Sequence, residues 1–141
     1  MSLSEEEYED KNIDIESYKL YFEHLSKNQK YIKKQVLLDF IKNKGINTND
    51  NKIKKELKEI EEKINENSFI ELLNSNLILF KKIFEGDLII NNWKDFTDSI
   101  NNIYENTKKY NNGKLADYIP QLANVNEELY GISICTIDGQ I

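Results

Sequence analysis

Apolar side chains recur at intervals of three and four through five successive segments of this chain. A backbone with that periodicity folds as amphipathic helices that share a core. The first segment carries Ile15, Tyr18, Tyr21, Phe22 and Leu25. The second carries Val36, Leu37, Phe40 and Ile41 and stops at Gly45, with Ile46 placed to close a Schellman-type cap on Ile41. Thr48, Asn49 and Asp50 offer N-cap oxygens to a third helix, whose Ile53, Leu57, Ile60 and Ile64 form a narrow stripe between solvated Lys and Glu faces. The fourth segment runs from Ser68 to Glu85 with Phe69, Leu72, Leu73, Asn76, Leu77, Phe80, Ile83 and Phe84, an arc wide enough for the central helix of a bundle, and Gly86 ends it. Asn91 or Asn92 caps the fifth, where Trp93, Phe96, Ile100, Ile103 and Tyr104 repeat until "YNNG" breaks the pattern at Gly113.

Composition agrees with a mainly α, soluble fold. Among 141 residues, 39% are hydrophobic and 31% charged, with five Gly and one Pro. A chain of that length can bury one core without metal or disulfide staples. The net charge of −6, with no basic cluster beyond the short Lys52 to Lys58 stretch, disfavours nucleic acid and anionic membrane as partners. No apolar run approaches the roughly 20 residues a membrane-spanning helix needs, and no basic-then-apolar leader opens the chain. Residues 1–12, "MSLSEEEYEDKN", are acidic and without period, and are expected to form a disordered tail. The single cysteine, Cys135, has no cationic neighbour in sequence, so it reads as an inert core residue in a reducing compartment.

After Gly113 the pattern changes. Pro120 suits the first turn of a short helix reaching about Asn124, and Tyr130 to Ile137 reads as a buried β-strand. Asp138-Gly139 is a hairpin turn signal, so the strand's partner is expected past Ile141. As a unit, "GKLADYIPQLANVNEELYGISICTIDGQI" resembles the entry to the catalytic domain of the glutaminase family, whose members hydrolyse L-glutamine to glutamate and ammonia. The block Ala116-Asp117-Tyr118-Ile119-Pro120-Gln121-Leu122-Ala123, followed by Asp138-Gly139-Gln140, carries that resemblance. "SNLILFKKIFEGDLIINNWKDFTDSINNIYENTKKYNNGK" extends it into the helical N-terminal region of the longer glutaminases, and it weakens before Ser75.

The resemblance implies a helical, EF-hand-like domain over 13–112 and the start of a truncated, β-lactamase-like α/β catalytic domain over 113–141. It implies that Tyr118 reaches the glutamine pocket of the full enzyme, where a phenol can position substrate and share protons. From spacing alone, anchoring of the loop before Pro120 explains Tyr118 equally well. The family's nucleophile is the serine of a Ser-x-x-Lys motif, and none of the eight serines here has a lysine three residues on. No catalytic residue is therefore assigned, and the oxyanion donors would also lie past Ile141. In the longer protein the implied partners are a catalytic domain of the same polypeptide, L-glutamine, and further copies in a homo-oligomer. The implied compartment is mitochondrial for a eukaryotic source and cytoplasmic otherwise.

No metal or other cofactor is assigned. A calcium loop needs oxygen ligands at positions 1, 3, 5 and 12 and Gly at position 6. With Ile32 at the apolar position 8, those places hold Leu25, Lys27, Gln29, Val36 and, for the glycine, Lys30. A second loop centred on Ile70 offers Lys63, Asn65 and Asn67 at the first three of those places, two amides where carboxylates are needed. The lone His24 lacks a second ligand for zinc and reads as a half-exposed helical residue. The pairs Glu61-Glu62 and Glu127-Glu128 read as solvated surface. Two function classes stand: a non-catalytic N-terminal portion of a glutaminase, structural, regulatory or assembling in role, or a free-standing helical adaptor of EF-hand-like fold that binds an amphipathic partner without calcium. The tail separates them, because an adaptor has no use for the Tyr118 block.

Overall fold

The computed structural model describes residues 15–110 and 112–141. The expected acidic tail over 1–12 lies outside them. Among the described residues the fold is mainly α, with six helices and one two-stranded sheet. In order these are α1 (Ile15–Ser26), β1 (Ile32–Lys33), α2 (Lys34–Asn43), α3 (Lys54–Glu59), β2 (Lys63–Ile64), α4 (Glu66–Ser75), α5 (Leu77–Glu85) and α6 (Trp93–Thr107).

The core forms where the first four apolar stripes meet. Tyr18 and Phe22 of α1, Leu37 and Ile41 of α2, Leu57 of α3, Phe69, Leu72 and Leu73 of α4, and Phe80 and Ile83 of α5 are all buried. Aromatic rings tie these helices together. Phe69 meets Phe84 edge-on at 5.5 Å and Phe22 at 5.9 Å, and Phe84 stacks on Phe40 at 5.0 Å. Edge-to-face and offset geometry bring the positive rim of one ring to the negative face of another. Val36, expected on the core face of α2, is instead exposed.

Between the helices, β1 and β2 pair antiparallel, with Ile32 opposite Ile64 and Lys33 opposite Lys63. Both isoleucines are fully buried. This pairing corrects two expectations. The third helix does not reach Ile64: it ends at Glu59, and Ile60 turns extended at φ −73 and ψ 142. Its apolar spacing is real, since Ile53, Leu57 and Ile64 are all buried, but Ile64 serves the core from a strand. Lys34 helps end the helix by donating from Nζ to the carbonyl of Ile60 at 2.9 Å, a cation at the negative end of a short dipole. The centre of the second loop, correspondingly, is Ile64 and not Ile70, which lies within α4.

The long fourth helix is also two. Asn65 caps α4, its Oδ1 accepting from the Ser68 amide at 3.0 Å. The chain then breaks at Asn76, with φ −141 and ψ 65, before α5. Asn76 donates from its side chain to the carbonyl of Lys52 at 2.9 Å, so a residue read as part of the apolar arc is a polar tie to the preceding loop. Short polar side chains compete with the helix backbone in this way.

The end of α2 forms as expected. Gly45 adopts φ +83, the amide of Gly45 donates to Lys42 at 2.8 Å, and that of Ile46 donates to Ile41 at 3.3 Å. These are the paired bonds of a Schellman cap. Gly45 is required for a second reason: a Cβ there would stand 2.5 Å from the Trp93 ring, which lies against it. Helix α6 starts from this contact, with Asn92 Oδ1 accepting from Asp95. Unlike the other stripes, that of α6 contributes no buried residue; Phe96, Ile100 and Tyr104 are half-buried and Ile103 is exposed.

A methyl group at Gly45 would have to occupy the left-handed region and displace the indole together. Gly45→Ala is therefore expected to cost about 2 kcal/mol or more in urea unfolding. Gly113→Ala, with open space around it, should fall within about 0.5 kcal/mol of the parent.

Candidate functional site

The tail after α6 is turn-rich and lies mostly on the surface. Around the "ADYIP" block the amides of Leu122 and Ala123 both donate to the Ile119 carbonyl, at 2.9 and 3.2 Å, and Asn124 donates from its side chain to Pro120. These are consecutive turns, and the short helix expected over 120–124 does not form. Tyr118 projects from the first of them at 80% exposure, so among the described residues nothing encloses the phenol. An open cleft of about 720 Å³ lies farther along, bordered by Thr107, Lys108, Leu115, Glu127, Leu129 and Tyr130, and Tyr118 does not line it. Tyr130 stacks on Tyr104 of α6 at 5.2 Å, and its hydroxyl meets the Thr107 hydroxyl.

The expected strand over Tyr130 to Ile137 is absent as well. Its residues carry no ladder, Ile132 is half-open and Ile137 is 85% exposed. A β-branched run has strand propensity but needs a partner edge to express it. Cys135, expected in the core, is exposed for the same reason. The turn signal, in contrast, holds. Gly139 takes φ +90 and donates to the Thr136 carbonyl at 3.0 Å, while the Thr136 amide donates to Gln140 at 3.0 Å. A glycine in the left-handed region closes this three-residue turn.

That turn folds back on the helices. Asp138 Oδ1 lies 2.7 Å from Lys82 Nζ of α5, and Oδ2 accepts from the Ile89 amide at 2.9 Å. Gln140 is fully buried. Its Oε1 accepts from the Ile90 amide at 3.1 Å, and its Nε2 donates to the carbonyls of Lys44 at 2.8 Å and Ile90 at 2.9 Å. Ile46 forms an isolated antiparallel bridge with Gln140, and the Ile141 amide donates to Gly45 at 3.0 Å. Sequence reasoning missed the role of both side chains. Its only signal was the turn dipeptide, which says nothing of partners 50 and 96 residues away.

Other candidate residues remain surface groups: His24, Glu61, Glu62, Glu127 and Glu128 are all exposed. A cavity of about 330 Å³ beside β2 gathers Glu56, Glu59, Glu61 and Glu71 around Ile60 and Leu72. No three His, Cys, Asp or Glu side chains converge to hold a metal ion among the described residues. With Ile64 at the apolar loop position, the ligand positions 1, 3, 5 and 12 fall on Leu57, Glu59, Glu61 and Ser68, and the first is a buried leucine.

The tail block and the helices before it have relatives. Over 130 residues the chain is 29% identical to the mitochondrial liver isoform of glutaminase from Rattus norvegicus, covering 86% of this chain and 22% of that protein. The mouse isoform matches to the same extent. A glutaminase from Bacteroides thetaiotaomicron is 57% identical over 37 residues, covering 26% of this chain and 12% of its own length. Over most of its length, then, the chain is similar to glutaminases. No family model matches it. It spans less than a quarter of the length of these glutaminases. Within that glutaminase-related segment, no described helix is long and apolar enough to cross a membrane.

Two outcomes follow from the geometry. The Lys82 ammonium, opposed by burial, together with the Ile89 amide holds the Asp138 carboxyl below its ordinary value. A depressed carboxylate stabilises the docked turn above the ordinary value of 3.8, and that stability is lost as pH falls below it through the lowered value. A carboxyl-carbon NMR titration should place the Asp138 midpoint below that of free aspartate, and Lys82→Met should bring it back. For calcium, titration calorimetry should show no micromolar site, since neither loop presents the needed oxygens.

Proposed function

We propose that this chain is a non-catalytic, N-terminal portion of a glutaminase, a helical module joined to the entry of the catalytic domain. The observation that carries the reading is the similarity over 86% of the chain to a glutaminase more than four times as long, together with the Tyr118 block in the tail. The antiparallel pairing of Ile32 with Ile64 between two helix pairs supports an EF-hand-like arrangement for the module, kept as a scaffold without calcium ligands. The eight serines lack a lysine at the third following position, which supports placing the nucleophile in a separate segment of the longer protein. In that protein L-glutamine is the substrate, and homo-oligomerisation involves the catalytic segment. The similarity to mitochondrial isoforms of rat and mouse supports a mitochondrial address for a eukaryotic source.

Tyr118 is the residue this reading assigns to the glutamine pocket. Its present exposure fits a side chain that awaits covering by another part of the longer protein. The chain alone is expected to release no ammonia from L-glutamine, and release above buffer would refute a non-catalytic role. In a protein that joins this chain to a Ser-x-x-Lys glutaminase segment, Tyr118→Phe should lower kcat by about tenfold or more with unchanged urea stability, because only a hydroxyl is lost. Unchanged kinetics would reduce Tyr118 to a loop residue.

A further inference from the structure

Residues 117–133 are all exposed, yet two of the three buried polar residues among those described, Asp138 and Gln140, stand just beyond them. The Gln140 carboxamide has four hydrogen-bonding sites, and all are used. Oε1 accepts from the Ile90 amide and, at 3.4 Å, from the Thr136 hydroxyl; Nε2 donates to Lys44 and Ile90. The partners from the helical bundle are backbone groups of two loops, one ending α2 and one following α5. They present a donor and two acceptors in the arrangement one primary carboxamide requires. Two residues earlier, Lys82 and the Ile89 amide receive the two oxygens of Asp138 in the same way.

The attachment is almost wholly polar. Ile137 is 85% and Ile141 59% exposed, so the turn adds little apolar burial. The receiving amides of Ile89 and Ile90 sit on a partly exposed loop, where water can replace the side chains when the turn leaves. Contacts of this kind fix a position specifically while remaining reversible. From this geometry we infer that the Thr136–Ile141 turn is a releasable latch, read by the bundle through Asp138 and Gln140, which couples the bundle to the exposed segment carrying Tyr118. Whatever draws that segment away from the bundle must part Tyr130 from Tyr104 at one end and free Gln140 at the other. By linkage, whatever alters the Lys44–Ile46 or Ile89–Ile90 loops shifts the latch equally. The inference stands on these contacts and holds whether or not the tail serves glutamine hydrolysis.

Amide hydrogen exchange on the full 141-residue chain tests it, because the Ile89, Ile90 and Ile141 amides are all bonded across the latch. In Gln140→Ala the protection of Ile90 and Ile141 should fall at least tenfold while Leu73 and Ile83, deep in the bundle, keep theirs. Gln140→Glu, which preserves size but removes both donors, should behave alike. Asp138→Asn should lower protection at Ile89. Loss of less than threefold at Ile90 in Gln140→Ala would show that the carboxamide does not hold the turn. A matching loss at Leu73 and Ile83 would show that the turn is part of the cooperative core, and the latch would be refuted in that case too.

Discussion

The turn Lys44-Gly45-Ile46 is the point on which the remaining structure depends. A helix must end there, and it does so through a left-handed glycine that, with Ile46, closes two cap bonds. Because that glycine has no side chain, the Trp93 ring can lie against the backbone and set where α6 begins. Because Lys44 is the last carbonyl of a spent helix, it is free to accept from Gln140, and Gly45 from Ile141. One stop signal thus fixes three chain segments that are distant in sequence. Exposed carbonyls at a helix C-terminus are ordinarily satisfied by solvent, and here a buried side-chain amide replaces it.

The core was legible from the sequence because burial and helical period are the same information. Tyr18, Phe22, Leu37, Ile41, Leu57, Phe69, Leu73, Phe80 and Ile83 all lie where their spacing places them. What spacing could not supply was the state of the backbone between them. Ile53, Leu57, Ile60 and Ile64 satisfy a helix as written, but Ile64 finds a better partner in Ile32 across the loop, and that pairing is non-local. Asn76 failed for a related reason, since its bond to Lys52 joins residues 24 apart. The capping residues are local, and one of two expected sites at α6, Asn92, is the cap.

The tail shows the opposite balance. Its turn chemistry was readable, since Asp-Gly favours a turn whose glycine takes the left-handed region, as Gly139 does. Its strand was not, because a strand is a relation between two segments and Tyr130 to Ile137 meets none among the described residues. Instead of a ladder, a stacked pair of tyrosines and a buried carboxamide hold it at its two ends. The Tyr118 block was recognisable as a sequence, while its side chain lies open. Recognition and geometry therefore speak of different things at this site: the first of a lineage, the second of a surface.

The chain's single tryptophan sits at the meeting of α2's end and the start of α6, outside the aromatic core. Its emission accordingly reports on one junction and is blind to the phenylalanine cluster. Far-ultraviolet circular dichroism is weighted instead by the helices throughout the bundle. On heating, an early change in tryptophan emission with the dichroism unmoved would mark local opening at the Gly45 junction, and would not by itself be a sign of a folding intermediate.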